Sequence, residues 1–262
     1  MRARRGLVIA GVAASVIAVL SGCVDASADP GAAETAGAPA GELTVFAAAS
    51  LQGAFDELAA AFESVHPDVD VRPIVYDGSS TLVAQLAEGA TADVFASADE
   101  STMAKGVDEG LVADAQVFAT NTLVVAVPAG NPGDVEELAD LADEHVTVVL
   151  CAVEAPCGAA SQRLLGNAGV SVRPASFEQN VTAVLTKVAA GEADAGLVYA
   201  TDVKNDSDVE SFVPEGAADV VNRYPIAALD RATNPAAAAA FVAFVRGPEG
   251  QAVLAKHGFG AP

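Results

Sequence analysis

From residue 43 onward, short apolar runs alternate with stretches whose apolar positions recur every three or four residues. The runs have the pattern of buried strands, and the periodic stretches that of amphipathic helices. Thr44-Val45-Phe46-Ala47 opens the series as a strand. Small residues then lead to Ser50, and Leu51, Phe55, Leu58, Phe62 and Val65 form one helical face. Ser50 stands where an N-cap belongs. Residues 69–75 predict a second strand, and Tyr76-Asp77-Gly78-Ser79-Ser80-Thr81 leads into a helix carrying Leu82 and Leu86 on one face.

The alternation continues to the end of the chain. Strands are expected at 93–98, 121–127, 146–150, 195–199 and 224–229. Helices are expected at 100–109, 134–142, through Leu165, from Asn180 to Gly191, from Asn234-Pro235 to Gly247-Pro248, and at 249–256. Strand-helix alternation of this kind defines an α/β sheet protein. No Pro/Gly/Ser linker divides residues 42–262, so two lobes would have to be joined inside regular structure. The strands at 121–127 and 224–229 are the candidate crossings, which gives one lobe of residues 42–120 plus 225–262 and a second of 121–224.

The N-terminus is of another kind. Arg2, Arg4 and Arg5 precede an apolar run, Gly6 to Leu20, that is short for a membrane span. The run ends in Leu20-Ser21-Gly22-Cys23, which resembles a bacterial lipobox. Residues 1–22 therefore read as a lipoprotein signal peptide, with Cys23 as the lipidation site. Residues 23–41 read as a flexible tether, since their small and polar composition cannot build a core. The folded part is expected outside the cytoplasmic membrane, anchored through the lipid on Cys23.

Charge narrows the range of partners. The 262 residues carry a formal net charge of −22. Without the three arginines of the signal segment, 10 basic residues face 35 acidic ones. Such a surface repels nucleic acid and anionic membrane. It also repels anions at long range, so an anion site here must work through local dipoles.

Three strand-to-helix turns, at Ser50, Ser79 and Cys157, are built of small residues and hold no Lys or Arg. The helix start at Asn180-Val181 adds a fourth set of free N–H groups. Ligands of α/β sheets bind at the carboxyl ends of strands, where such turns gather, and helix N-termini suit a small anion. Four ordinary helix caps would look the same on spacing alone.

Other chemistry is poorly supported. The chain has no G-x-S-x-G, P-loop or G-x-G-x-x-G motif. His66, His145 and His257 are scattered, and no calcium-loop pattern surrounds Asp93, Asp99 and Asp202. No cation site and no cofactor are expected. Cys151 and Cys157 are not at redox or zinc spacing. With Cys23 reserved for lipid, they form an even pair in an oxidising compartment, and a disulfide between them is expected.

Thr44-Val45-Phe46-Ala47-Ala48-Ala49-Ser50-Leu51, Gly78-Ser79-Ser80-Thr81-Leu82 and Ala92-Asp93-Val94-Phe95-Ala96-Ser97-Ala98-Asp99 together resemble the periplasmic molybdate-binding receptors of bacterial ABC importers. Pro156-Cys157-Gly158, Gly196-Leu197-Val198-Tyr199, Tyr224-Pro225-Ile226 and the tail from Gly247-Pro248-Glu249-Gly250 to Gly258-Phe259 continue the likeness in order. It spans essentially all of residues 42–262.

The resemblance implies a two-lobed type II periplasmic binding protein, each lobe a mixed sheet flanked by helices, with the ligand cleft between them. It implies a monomeric receptor without catalysis that captures molybdate or tungstate and delivers it to an ABC permease. It carries over Ser50, Ser79 and Tyr199 as hydroxyl ligands, and Cys157 and Val181 as backbone N–H donors. Cys157 and the Asp77-Gly78 pair depart from the family pattern, and Asp77 would bring a negative charge near the site. A receptor for another anion such as sulfate is the alternative within the fold. A secreted serine hydrolase using Ser50 or Ser79 is the alternative outside it.

Overall fold

The computed structural model describes residues 38–204 and 206–262; the signal peptide of residues 1–22, Cys23 and residues 24–37 of the tether lie outside them. In chain order the first part comprises β1 (Gly41–Leu43), β2 (Val45–Ala48), α1 (Gln52–Val65), β3 (Val69–Val71), β4 (Val75–Asp77), α2 (Ser79–Ala87), β5 (Val94–Ala96), α3 (Glu100–Asp108) and β6 (Gln116–Asn121). The middle part comprises β7 (Leu123–Pro128), β8 (Val148–Cys151), α4 (Pro156–Ala168), β9 (Ser176–Glu178), α5 (Val181–Ala189), β10 (Ala195–Tyr199) and β11 (Val209–Phe212). The chain then returns through β12 (Asn222–Ala228), α6 (Pro235–Arg246) and α7 (Pro248–His257).

Two five-stranded mixed sheets result, ordered β4-β2-β5-β12-β6 and β11-β7-β10-β8-β9, beside a small parallel pair β1-β3. In the first sheet β2 is parallel to β4 and β5, and β12 is antiparallel to β5 and β6. In the second, β8, β9 and β10 run parallel, with β7 antiparallel between β10 and β11. Each parallel set therefore brings the carboxyl ends of its strands to one edge.

Leu51, Phe55, Leu58 and Phe62 are fully buried, as their spacing predicts, and Phe62 meets Phe241 of α6 edge-on at 5.2 Å. Val65, the last of the expected face, is 50% exposed because the helix ends there. An aromatic chain runs from this core toward the space between the sheets: Phe55 to Phe118 at 5.7 Å, Phe118 to Tyr224 at 6.4 Å, Tyr224 to Tyr199 at 5.8 Å.

Several expectations need correction. Ser50 is not a cap: it lies inside a 3-10 turn, Ala49–Leu51, that precedes α1 and has no side-chain cap. The strand expected over 69–75 is two strands with different partners, separated at Arg72-Pro73, since proline cannot donate to a ladder. The strand expected over 121–127 is likewise divided at Thr122, β6 joining the first sheet and β7 the second. That break is the first crossing. The second lies between Phe212 and Asn222, ahead of the strand at 224–229, because β12 belongs wholly to the first sheet. The helix expected over 134–142 is only a 3-10 turn, Leu138–Ala142. Asp134 takes a left-handed φ of 52°, and the Asn131 side chain bonds both backbone groups of Val135, so the segment is committed to a turn. β1 takes in Gly41, the last residue assigned to the tether, because it pairs with Val69.

Candidate functional site

The carboxyl ends of β2, β4, β8, β9 and β10 deliver their turns to one narrow cavity between the two sheets. Ser50, Ser79, Cys157, Val181 and Tyr199 all line it, as do Asp77, Gly78, Ala98 and Asn180. No Lys or Arg is among its lining residues. Ser79, Cys157, Val181 and Tyr199 are each at most 3% exposed.

Two kinds of donor meet here. The first is helix N-termini. In α4, Pro156 is the first residue and the earliest backbone bond is from Ala159 to Ala155, so the Cys157 N–H has no intrahelical acceptor. Gly158 is required at this turn, since a Cβ there would sit 1.9 Å from the Ala152 carbonyl. In α5, Asn180 is the N-cap and accepts from the Ala183 N–H at 3.0 Å, which leaves the Val181 N–H pointing out of the helix end.

The second kind is hydroxyls that accept from behind. Ser79 Oγ accepts the Ala98 N–H at 3.0 Å, so its own proton is free for the cavity. Tyr199 Oη accepts from Asn222 Nδ2 at 2.8 Å. Ser50 Oγ pairs with Tyr224 Oη at 3.1 Å. Burial, then the nearby Tyr224, Asp99 and Asp202, raises the Tyr199 pKa well above the ordinary phenol value, and burial does the same for Tyr224. Both phenols therefore keep their protons at neutral pH.

The two lobes touch beside the cavity. Asp77 Oδ1 accepts from its own neighbour Gly78 N at 2.7 Å and from Asn180 Nδ2 at 2.8 Å. Gly78 lies so close to the opposite lobe that a Cβ would stand 2.3 Å from the Gln179 carbonyl. This explains the departure at Asp77-Gly78: the carboxylate serves as a cross-cleft acceptor and the glycine lets the lobes approach.

The remaining singled-out residues are used elsewhere. Asp93 accepts from Thr44 N, Thr233 Oγ1 and Asn234 N, tying strand to helix start. Asp99 caps α3 through Thr102 N, and Asp202 accepts the Tyr199 N–H. Among the described residues, no group of three or more His, Cys, Asp or Glu is placed to hold a metal ion. His257 bonds Glu57, and neither cavity serine has a histidine partner. The Cys151 and Cys157 sulfurs are joined in a bond of 2.11 Å. Sequence reasoning missed Asn222 and Ala98, whose roles come from contacts 23 and 19 positions away along the chain.

Two lobes, each a mixed sheet with helices, enclosing a donor-lined cavity at the strand carboxyl ends, define a solute-binding protein. The chain belongs to the bacterial extracellular solute-binding protein family, whose profile it matches over residues 43–260. It is 43% identical to the molybdate-binding protein ModA of Mycobacterium tuberculosis over 96% of both chains. It is 32% identical to the protein of the same name from Escherichia coli, over 84% of this chain and 89% of that one. The Azotobacter vinelandii periplasmic molybdate-binding protein shares the fold with a TM-score of 0.73 at 22% identity, covering 84% of this chain and 99% of that one. A sulfate-binding protein of Mycobacterium tuberculosis, SubI, shares it with 0.71 at 20% identity, covering 83% and 86%. Among the described residues no helix is long and apolar enough to cross a membrane.

Proposed function

We propose that this protein is an extracytoplasmic receptor that captures molybdate or tungstate between its lobes and delivers it to the permease of an ABC importer. The observation that supports the reading is the cavity itself, which Ser50, Ser79, Tyr199, Cys157 and Val181 line with no lysine or arginine among the lining residues. Ser50, Ser79 and Tyr199 donate through side chains, and Cys157 and Val181 through the backbone. A dianion suits this set because helix N-termini and neutral donors stabilise negative charge without a counter-ion. The 43% identity to a protein named for molybdate binding supports the choice of anion.

Ligand closes the lobes by contacting both at once, and the closed form is what the permease reads. The protein acts as a monomer, is held to the membrane by a lipid on Cys23, and catalyses no reaction. Among the described residues Ser50 Oγ pairs with a tyrosine and Ser79 Oγ with a backbone N–H, neither with a histidine or carboxylate, which disfavours the hydrolase alternative.

Calorimetric titration of the protein with molybdate, tungstate, sulfate and phosphate tests the ligand. Tight binding of the first two is expected; sulfate binding as tight as molybdate would move the protein to the alternative. Intact-mass measurement of the native protein tests the anchor, and an unmodified chain would remove it.

A further inference from the structure

We infer that Asn222 is a positioning residue that fixes the Tyr199 hydroxyl as a donor and so sets which protonation state of a ligand the cleft accepts; this rests on the oxoanion reading of the cavity. Asn222 begins β12, the strand that returns the chain to the first lobe, and is 2% exposed. Its Nδ2 donates to the Ala98 carbonyl at 3.0 Å and to Tyr199 Oη at 2.8 Å, while Arg163 Nη2 lies 3.4 Å from its Oδ1.

The direction of these bonds follows from chemistry. The Ala98 carbonyl can only accept, so the amide group facing it must be the NH₂; the reversed amide would set two acceptors against each other. The same nitrogen faces Tyr199. An amide nitrogen offers no lone pair, so the phenol receives a proton there and its own must go elsewhere. Two destinations exist, the cavity and the oxygen of Tyr224, which is held 3.1 Å from Ser50 Oγ. A hydrogen bond to an anion is about twice as strong as one to a neutral hydroxyl, so a bound anion takes the proton.

Asn222 also stands behind a second ligand hydroxyl. Ala98 is held on both sides: its carbonyl accepts from Asn222, and its N–H, in the preceding peptide unit, donates to Ser79 Oγ at 3.0 Å. Asn222 therefore fixes the position of the residue that holds Ser79 Oγ. One buried amide thus orients Tyr199 in the second lobe and supports Ser79 in the first. Both are held as donors, and a site made of donors rejects an anion that carries a proton of its own.

The test is a double-mutant cycle on the full-length protein, with molybdate affinity read by calorimetry and folding by thermal melting. Asn222→Ala is expected to weaken binding about tenfold. In the Tyr199→Phe background, which has no hydroxyl to orient, the same change is expected to cost about twofold or less. Asn222→Asp accepts the phenol proton instead, turning the Tyr199 oxygen into an acceptor; phosphate is then expected to raise the melting temperature of this variant but not of the wild type. Equal factors in both backgrounds, or no phosphate effect in a folded Asn222→Asp protein, would overturn the inference. If neither Asn222 variant melts cooperatively, the residue serves folding and the assignment falls. Wild-type protein that binds none of the oxoanions would remove the functional reading and this inference together, whereas binding with equal factors removes the inference alone.

Discussion

Asp77 Oδ1 accepts a hydrogen bond from Asn180 Nδ2 at 2.8 Å, and this contact joins the turn before α2 in the first lobe to the N-cap of α5 in the second. The same oxygen holds the Gly78 N–H at 2.7 Å, so an acid close to an anion cavity serves closure. Its charge and its acceptor role can be separated. Asp77→Asn keeps an oxygen for both donors and drops the charge, and should bind molybdate about threefold more tightly. Asp77→Ala loses the cross-cleft bond and should bind about tenfold more weakly, as expected for a hydrogen bond to a charged group. Calorimetry on both variants checks the pair; an Asn variant weaker than the Ala variant would show that the contact is not a latch.

Ser50→Ala and Ser79→Ala should each lower molybdate affinity by about 10- to 100-fold, the value of one hydrogen bond to a charged acceptor. Ser79→Ala should be the more costly to fold, since it also leaves the buried Ala98 N–H without its acceptor. Cys157→Ala should weaken affinity less than either serine change, since its backbone N–H stays and only the bridge that holds the turn is lost. Titration of the three variants beside their melting curves separates binding from folding. Unchanged affinity in both serine variants would place the ligand elsewhere.

Phosphate should fail to bind measurably at neutral pH. Molybdate, tungstate and sulfate are then unprotonated, while phosphate keeps a proton that must find an acceptor. A cavity of donors leaves that O–H unpaired, at a cost of about 1–3 kcal/mol. Asp77 is the one carboxylate among the cavity's lining residues, and its Oδ1 is turned to Gly78 and Asn180. Sulfate passes the protonation test and is expected to bind weakly because its shorter bonds stretch the contacts of a closed cleft. Competition of each anion against molybdate gives the ranking.

Opening the Cys151–Cys157 bridge should cost about 2 kcal/mol of stability, the chain-entropy value for a loop this short. Denaturant unfolding with and without reductant measures it. The bridged protein should also show no titratable thiol at either position after unfolding without reductant. Because the bridge spans the turn that presents the Cys157 N–H, reduction should weaken molybdate binding as well.

Asp202 links stability to pH. Burial raises its carboxyl from the ordinary 3.8 to about 7, opposed by the hydrogen bond from the Tyr199 N–H. The folded state therefore keeps a proton that the unfolded chain has lost between those two values. Its contribution to stability is full below pH 3.8, declines as pH rises, and is gone above about pH 7. Asp202→Asn keeps an acceptor for Tyr199 and removes the titration. The variant should gain on the wild type in denaturant unfolding as pH goes from 4 to 7. A constant difference across that range would show that Asp202 does not titrate there.

Local order reads directly from this chain. The turns at Ser50, Ser79 and Cys157 and the cap at Asn180 are each set by a few consecutive residues, as are the apolar faces of α1 and α5, because cap chemistry and helical periodicity act within a turn or two. The short strands β1, β9 and β11 escape such reading: three or four residues, partly polar, acquire strand geometry only from the neighbour they pair with. The cavity is a further step removed. Its small walls and donor N–H groups are local, but the orientation of its hydroxyls depends on Ser50 meeting Tyr224, Ser79 meeting Ala98 and Tyr199 meeting Asn222. The first of those pairs is 174 positions apart, and no pattern within one segment encodes it. Nothing in Asp77-Gly78 alone says whether its carboxylate faces the ligand or the opposite lobe. Only the packing of the two sheets against each other decides that, since Gly78 must come within contact of the Gln179 carbonyl before Asp77 can reach Asn180.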